Sequence, residues 1–116
     1  LGTFQYPLTL VGPSGEVDVE ALVDTGATHS VFARETLEHI GVTPIHKMPF
    51  ELGDGRVVEY EIGAVSARID GLQLPTLCVF GEPASSGLLG ALTLGAFLLS
   101  VDPVNQRLVP VNGLLR

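Results

Sequence analysis

The stretch that stands out in this chain is Leu22-Val23-Asp24-Thr25-Gly26-Ala27-Thr28. Here an acidic residue ends an apolar strand, although a carboxylate near a core costs free energy unless it is paired or hydrogen-bonded. Gly26 permits backbone conformations that other residues avoid and lets a second segment approach closely. Thr25 offers a hydroxyl that can bond to nearby backbone. Taken alone, the tripeptide Asp-Thr-Gly is more simply explained as an Asx-type turn, in which Asp24 accepts hydrogen bonds from local N–H groups.

Short strands and turns extend in both directions from this stretch. Alternating apolar residues predict strands over residues 3–11 and 17–23, joined by the turn signal Gly12-Pro13-Ser14-Gly15. Glycine occurs 14 times and proline 8 times along the whole chain, which favours many short strands over a helix bundle. Further strands are predicted at residues 47–52, 56–62 with an extension to residue 68, 72–80 and 108–111, and short helices at residues 34–40 and 92–99. We therefore expect an all-β fold with one or two short helices.

Two further motifs follow Asp24 in a fixed order. The best hairpin signal is Gly53-Asp54-Gly55, because Asp-Gly suits turns that need positive φ. The apolar pair and glycine Leu88-Leu89-Gly90 lie in an uncharged segment later in the chain. In this combination the sequence resembles the retropepsin-like aspartic proteases of clan AA, in particular their small single-domain bacterial members. The Asp-Thr-Gly stretch matches the family's catalytic loop, the hairpin falls where the family has its flap, and the Leu-Leu-Gly element matches the one that threads near the catalytic loop.

The resemblance implies a closed, barrel-like acid protease fold that corresponds to half of a pepsin-like enzyme and is active as a symmetric dimer. It implies a catalytic loop of Asp24, Thr25 and Gly26, with Thr25 gripping the partner's loop across the twofold axis. The flap and Leu52 near its tip have an ordinary alternative, as a surface hairpin and a packing residue of its arm. The residues that the resemblance implies for substrate binding are Ala27, Thr28, Leu52, Gly53, Asp54, Gly55, Leu88, Leu89 and Gly90.

Peptide hydrolysis by carboxylates requires two of them close together. Because like charges at short range cannot both ionise, such a pair holds one proton: one carboxylate accepts a proton from water while the other group donates one to the carbonyl oxygen. The chain contains a single Asp-Thr-Gly. We therefore predict an aspartic endopeptidase that hydrolyses polypeptides through a water activated between the two Asp24 carboxylates of a homodimer. The alternative is a non-catalytic dimeric module of the same fold that binds a peptide or assembles a larger protein.

The sequence departs from the retroviral members of the family directly after Ala27. Those members carry acidic residues where this chain has Thr28 and His29, so we expect its contacts to the substrate backbone to differ. Asp54 also places a charge at the tip of the hairpin. Ala27 offers the neighbouring carboxylate no hydroxyl, unlike the Ser or Thr of pepsin-like enzymes. One hydrogen bond fewer to the anion predicts a mildly acidic to near-neutral pH optimum.

Length and charge exclude several classes of protein. The 116 residues suffice for one domain with an independent core, and we expect a single domain over residues 1–116. Six basic against 13 acidic residues give a net charge of -7, which argues against nucleic-acid partners and anionic membrane surfaces. The apolar run at residues 88–99 is too short for a membrane-spanning helix, so no membrane insertion is expected.

The cysteine and histidine pattern excludes further kinds of site. Cys78 is the single cysteine, so an intramolecular disulfide is impossible, and its apolar surroundings predict a buried structural thiol. His29, His39 and His46 lack the spacing of metal ligands, and no metal or cofactor is expected. The first residues show no basic segment of a signal peptide, which favours a cytoplasmic location, and a start other than Met is compatible with a domain of a larger protein.

Overall fold

The computed structural model describes residues 3–116, which form nine strands and two short helices. The strands are β1 (Phe4–Gly12), β2 (Gly15–Val23), β3 (Ser30–Ala33), β4 (His46–Glu51), β5 (Val57–Ile69), β6 (Leu72–Gly81), β7 (Leu88–Leu89), β8 (Leu99–Asp102) and β9 (Arg107–Pro110). The helices are α1 (Arg34–His39) and α2 (Ala91–Ala96). The predicted mainly-β class with two short helices is confirmed. Neither helix of this described part of the chain has the length and apolar character that crossing a membrane requires.

Seven of the strands form one sheet that closes on itself. Its order is β1-β2-β7-β3-β6-β5-β4, and β1 also pairs with β5. In that closing pair, Leu10 lies opposite Ala67. Six strands therefore make a ring, while β4 lies outside it as an edge strand bonded to β5. This ring confirms the predicted barrel-like architecture.

The core lies inside the ring because inward side chains alternate with outward ones along the long strands. In β1, Phe4, Leu8 and Leu10 are buried, whereas Gln5 and Pro7 are exposed. The apolar side chains thus occupy the interior of the barrel, and the loops at the strand ends remain at the surface, where functional groups are usually carried.

Strand β5 belongs both to the ring and to a hairpin outside it. Its residues 57–62 pair with β4, and its residues 62–69 pair with β6. The predicted extension beyond residue 62 is therefore present, as one strand of 13 residues. The hairpin turns at Gly53-Asp54-Gly55, where Gly55 has a φ of 87° and Leu52 N–H donates to the Arg56 carbonyl over 2.8 Å.

The second helix and its continuation differ from the sequence prediction. Helix α2 ends at Ala96 and not at residue 99, because Leu98 adopts the left-handed region with a φ of 53°. Leu99 then begins β8, which pairs with β9 in a two-stranded antiparallel sheet. A leucine seldom adopts a left-handed backbone, so nothing in the apolar pattern indicates this break.

Candidate active site

Asp24 is held in a defined orientation at the point where β2 ends. Its N–H donates to the Leu89 carbonyl over 3.0 Å. Its side-chain Oδ1 accepts a hydrogen bond from Gly26 N–H over 2.9 Å, and its carbonyl accepts one from Ala27 N–H over 3.2 Å. Asp24 is half-buried, while Thr25 and Gly26 are exposed. The Asx-type turn is therefore present, and it presents a carboxylate at the surface.

The Leu-Leu-Gly element lies directly beside this loop, as the resemblance implied. Strand β7 runs parallel to β2, with Leu88 opposite Leu22 and Leu89 opposite Val23. On its other side β7 pairs antiparallel with β3, where Val31 lies opposite Leu88. Leu89 is fully buried. The segment lies between β2 and β3 in the sheet, and its Leu89 carbonyl holds the backbone of Asp24 in place.

After β7 the chain continues to follow the Asp24 loop closely. Ala91 N–H donates to the Ala27 carbonyl over 2.8 Å, and Leu92 N–H donates to the Thr28 carbonyl over 2.9 Å. Together with the bond between Asp24 N–H and Leu89, these contacts fix the loop at both ends. The position of residues 88–92 therefore determines the position of the loop.

Gly90 is the point of closest approach between the two segments. A Cβ atom at this residue would lie 2.5 Å from the His29 carbonyl oxygen and 2.9 Å from the Ala27 carbonyl oxygen. Real Cβ atoms do not approach backbone atoms so closely, so only glycine fits here without displacement of the loop.

A cleft of about 730 Å³ lies between the Asp24 loop and the β4–β5 hairpin. Its volume lies within the range of sites that bind small ligands or short peptide segments. Six of the residues singled out from the sequence line it, namely Gly26, Ala27, Thr28, Leu52, Gly53 and Leu88. The loop and the hairpin are thus brought to opposite sides of one cavity.

Other residues singled out from the sequence lie around this cleft without lining it. Asp54 and Gly55 form the hairpin turn, and Leu89 and Gly90 lie beneath the loop. Asp24 and Thr25 border a second concavity of about 450 Å³, on whose rim Phe4, Ser100 and Val101 also lie. The substrate contacts of all nine residues, Ala27, Thr28, Leu52, Gly53, Asp54, Gly55, Leu88, Leu89 and Gly90, stay predictions, as do the catalytic roles of Asp24, Thr25 and Gly26.

The cleft is also lined by two aromatic residues that the sequence reasoning missed, Phe50 and Tyr60, beside His29, which it had singled out. The rings of His29 and Phe50 meet edge to face with centroids 5.2 Å apart, and those of Phe50 and Tyr60 lie 6.3 Å apart. The alternation of the hairpin arm carried a signal, because Phe50 is two residues before Leu52 and therefore shares its face of the strand. Glu82 and Ser85 also line the cleft. They lie in a loop in which the sequence contains no recognisable motif.

The charge at the hairpin tip is held by a local contact. Asp54 Oδ1 accepts a hydrogen bond from Arg56 N–H over 3.0 Å, and Oδ2 accepts one from Arg56 Nε over 2.7 Å. These bonds stabilise the ionised form and lower the pKa of Asp54 below its ordinary value. Within residues 3–116, no three side chains of the His, Cys, Asp and Glu types are placed to hold a metal ion together.

Comparisons with known proteins agree with this geometry. Residues 8–93 match the family model described as aspartyl protease. The fold is similar to that of EIAV protease complexed with the inhibitor HBY-793, at 17% identity and a TM-score of 0.58 over 77% of this chain and 82% of that one. It is also similar to the solution structure of Simian Foamy Virus (mac) protease, at 19% identity and a TM-score of 0.54 over 77% of this chain and 91% of that one. A comparison with proteins of curated function finds no match. The predicted retropepsin-like fold is confirmed, and the chain belongs to the aspartyl protease family.

Proposed function

We propose that this protein is an aspartic endopeptidase that acts as a symmetric homodimer. The observation that carries the proposal is the placement of Asp24. Its backbone is fixed by Leu89, its carboxylate is oriented by Gly26, and the following residues of its loop line a cleft whose opposite side is formed by the hairpin. Membership of the aspartyl protease family supports peptide-bond hydrolysis as the chemistry of this cleft.

The need for a second carboxylate supports the dimer. Asp-Thr-Gly occurs once in the 116 residues, so a pair of such loops requires two chains. Thr25 is exposed beside Asp24, and the concavity of about 450 Å³ next to them offers a surface that a second copy can fill. A twofold axis between the loops would place the two Asp24 carboxylates together, with each Thr25 reaching the partner's loop.

The chemistry follows from one proton shared by the pair. The ionised Asp24 takes a proton from a water molecule as the water oxygen attacks the scissile carbonyl carbon. The protonated Asp24 of the other chain donates its proton to the carbonyl oxygen. Titration then belongs to the pair as a unit. Since Ala27 adds no hydroxyl to the anion, we expect best activity at mildly acidic to near-neutral pH, and an optimum below about pH 3, as for a pepsin-type pair, would contradict this arrangement.

The substrate is an extended polypeptide. Strand β4 is the free edge of the sheet, and an extended peptide can add to such an edge through backbone hydrogen bonds. Ala27, Thr28 and Leu88 would form the floor of the cleft, and Leu52 and Gly53 would cover the peptide from the hairpin. Closure of the hairpin would exclude water and strengthen the electrostatic interactions inside.

The test removes the ionisable group and keeps its shape. Asp24→Asn should abolish cleavage of a peptide library, whereas Asp18→Asn, which changes an exposed carboxylate elsewhere on β2, should retain it. Unchanged cleavage by Asp24→Asn would end the proposal. Binding of extended peptides by a wild-type dimer that cleaves none of them would instead support a non-catalytic module.

Mixing the two proteins tests the shared site directly. When the two proteins are mixed in equal amounts and exchange subunits, random pairing leaves about a quarter of the dimers with two intact loops. The activity should then be about a quarter of that of wild-type protein at the same total concentration. Activity that falls only to half would mean that each chain works alone. Sedimentation at the assay concentration provides the accompanying measurement of dimer mass.

A further inference from the structure

A chain of buried hydroxyl groups lies beneath the Asp24 loop. Gly90 N–H donates to Ser30 Oγ over 3.0 Å. Ser30 Oγ lies 2.6 Å from Thr93 Oγ1, which lies 2.8 Å from Thr76 Oγ1. These three hydroxyls are the buried polar side chains of residues 3–116, and those of Ser30 and Thr93 are completely enclosed. None of them lines the cleft.

The hydroxyls connect three different elements. Ser30 begins β3, Thr76 lies in β6 and Thr93 lies in α2. One order of the protons uses every donor: Gly90 N–H to Ser30, Ser30 to Thr93, Thr93 to Thr76, and Thr76 to the Leu77 carbonyl at 3.5 Å. Consecutive bonds of this kind polarise and strengthen one another.

A core can be filled as stably without such groups. Replacing both partners of a buried hydrogen bond by apolar groups of the same shape can be nearly neutral, whereas leaving one partner unpaired is costly. We therefore ascribe to the hydroxyl chain a geometric effect: it fixes the position of the Gly90 N–H group. Gly90 also lies in a confined space, since even a Cβ atom on it would come within 2.5 Å of the His29 carbonyl oxygen.

We propose that Ser30 and Thr93 are positioning residues for the catalytic carboxylate. They hold Gly90, and the flanking residues of Gly90 hold the Asp24 loop through the Leu89, Ala91 and Leu92 hydrogen bonds. The inference rests on the proposed function for its kinetic consequence and on the loop geometry alone for its structural one. When this chain of hydroxyl groups is interrupted, residues 88–92 move away from Ser30 and the Asp24 loop is displaced. The part of the cleft that the hairpin forms stays in place.

The experiment compares variants of the 116-residue chain. Ser30→Ala removes the acceptor of Gly90 N–H, Thr93→Val removes the next hydroxyl without changing the volume much, and Thr93→Ser restores it. Ile40→Val serves as the control, because Ile40 is buried at the end of α1 and does not line the cleft. Activity is expressed per active site titrated with a statine-type transition-state mimic, so that partial unfolding does not count as slower chemistry.

We expect Ser30→Ala and Thr93→Val to lower kcat about 10- to 100-fold with little change in KM, the effect of a misplaced catalytic group. Thr93→Ser should recover most of kcat, and Ile40→Val should keep it despite its lower Tm. Equal kcat in Ser30→Ala, Thr93→Val and Ile40→Val would overturn the proposal. If Ser30→Ala does not fold, the pair Thr93→Val and Thr93→Ser decides.

An NMR measurement separates this inference from the proposed function. The amide resonances of Gly26 and Ala27 should shift in Ser30→Ala and Thr93→Val and stay in place in Ile40→Val. These amide shifts can be measured whether or not the protein cleaves peptides. If the wild-type protein cleaves nothing, the endopeptidase proposal fails, yet displaced loop amides would still support the positioning role, and unmoved ones would overturn it.

Discussion

At the residue scale, Gly90 is the glycine that lies tightly against the Asp24 loop. Gly90→Ala would place a Cβ atom 2.5 Å from the His29 carbonyl oxygen, so the loop or residues 88–92 must move. Overpacking of this kind costs about 1–3 kcal/mol. We expect a lower Tm and a loss of peptidase activity that exceeds the loss of folded protein.

Gly95 provides the matched control for that substitution. It lies in α2, and no atom beyond its chain neighbours and the backbone of its own helix lies within 4 Å of the Cβ that alanine would add. Alanine also restricts the unfolded chain, so Gly95→Ala should leave stability unchanged or raise it by up to about 1 kcal/mol. If the two variants unfold at the same temperature, the contact between Gly90 and the loop is not tight in solution.

The cysteine supplies a second prediction at this scale. Cys78 is fully buried in β6, and burial raises the pKa of its thiol to about 12. Because the thiolate is the reactive form, the folded protein should react with iodoacetamide very slowly at pH 8.5, where an ordinary thiol is half ionised. Mass spectrometry of the intact protein gives the rate. Rapid labelling without denaturant would show that the barrel opens at β6.

Sequence reasoning found the residues of the site that belong to contiguous motifs. Asp24 and Leu89 could be placed together because each stands in a recognisable tripeptide. Ser30, Thr76 and Thr93 could not, since single hydroxyl residues far apart in sequence carry no pattern, and only the folded chain brings them within 2.6–2.8 Å. Residue type does not predict their burial either, because Ser and Thr side chains are mostly exposed in folded proteins.

At the scale of elements, the hairpin tip depends on the contact between Asp54 and Arg56. The pKa of Asp54 is lowered in the folded protein, so the stabilisation that the contact gives is present at neutral pH and is lost as the pH falls through that lowered value. We expect Asp54→Asn and Arg56→Gln each to raise KM about two- to fivefold with little effect on kcat, because both side chains are exposed and the contact is weak.

A double-mutant cycle checks whether the two side chains act through each other. The combined variant should raise KM no more than either single variant, since one broken contact cannot be broken again. Strictly additive effects would mean that Asp54 and Arg56 contact the substrate separately. The same KM measured in wild type across acidic pH should rise toward that of Asp54→Asn as the carboxylate becomes protonated.

The elements themselves were predictable where their pattern is local. Alternation gave the β1–β2 hairpin, and the Asp-Gly signal gave the hairpin between β4 and β5. The end of α2 was not predictable, because it depends on the left-handed conformation of Leu98. That conformation turns the chain so that β8 and β9 can pair. The pairing of these strands outweighs the preference of leucine for a right-handed backbone.

At the scale of the whole molecule, electrostatics should bias the choice of substrate. The protein has a net charge of -7, and the ionisable side chains that line the cleft are those of Glu51 and Glu82 together with His29 and Tyr60. Peptides with Lys or Arg should therefore have a higher kcat/KM than neutral peptides of the same length, and this advantage should shrink as salt screens the attraction.

A salt series with matched peptides measures this effect. Exposed charges interact over roughly 10 Å at 0.1 M salt, so the advantage should fall steeply between low salt and 0.5 M. Glu82→Gln should reduce both the advantage and its salt dependence, while Glu59→Gln, an exposed residue of β5 that does not line the cleft, should not. A preference that is independent of salt would point to a direct contact instead.

The closure of the ring could be anticipated only through the resemblance. The pairing of β1 with β5 joins residues such as Leu10 and Ala67, which no local pattern connects. Likewise, β2 and β3 are near neighbours in sequence, yet they bond to β7 and not to each other. These pairings are chosen by the packing of the whole barrel.

The insertion of β7 has a consequence for the stage of synthesis at which the Asp24 loop can reach its final position. The strand that supports residues 24–26 follows them in the sequence by more than 60 residues. A nascent chain that has not yet exposed Leu88-Leu89-Gly90 outside the ribosome has its carboxylate loop unsupported and a gap beside β2. Such distant pairings form late. The Asp24 loop therefore acquires its support only after residues 88–92 have been synthesised and have folded against it.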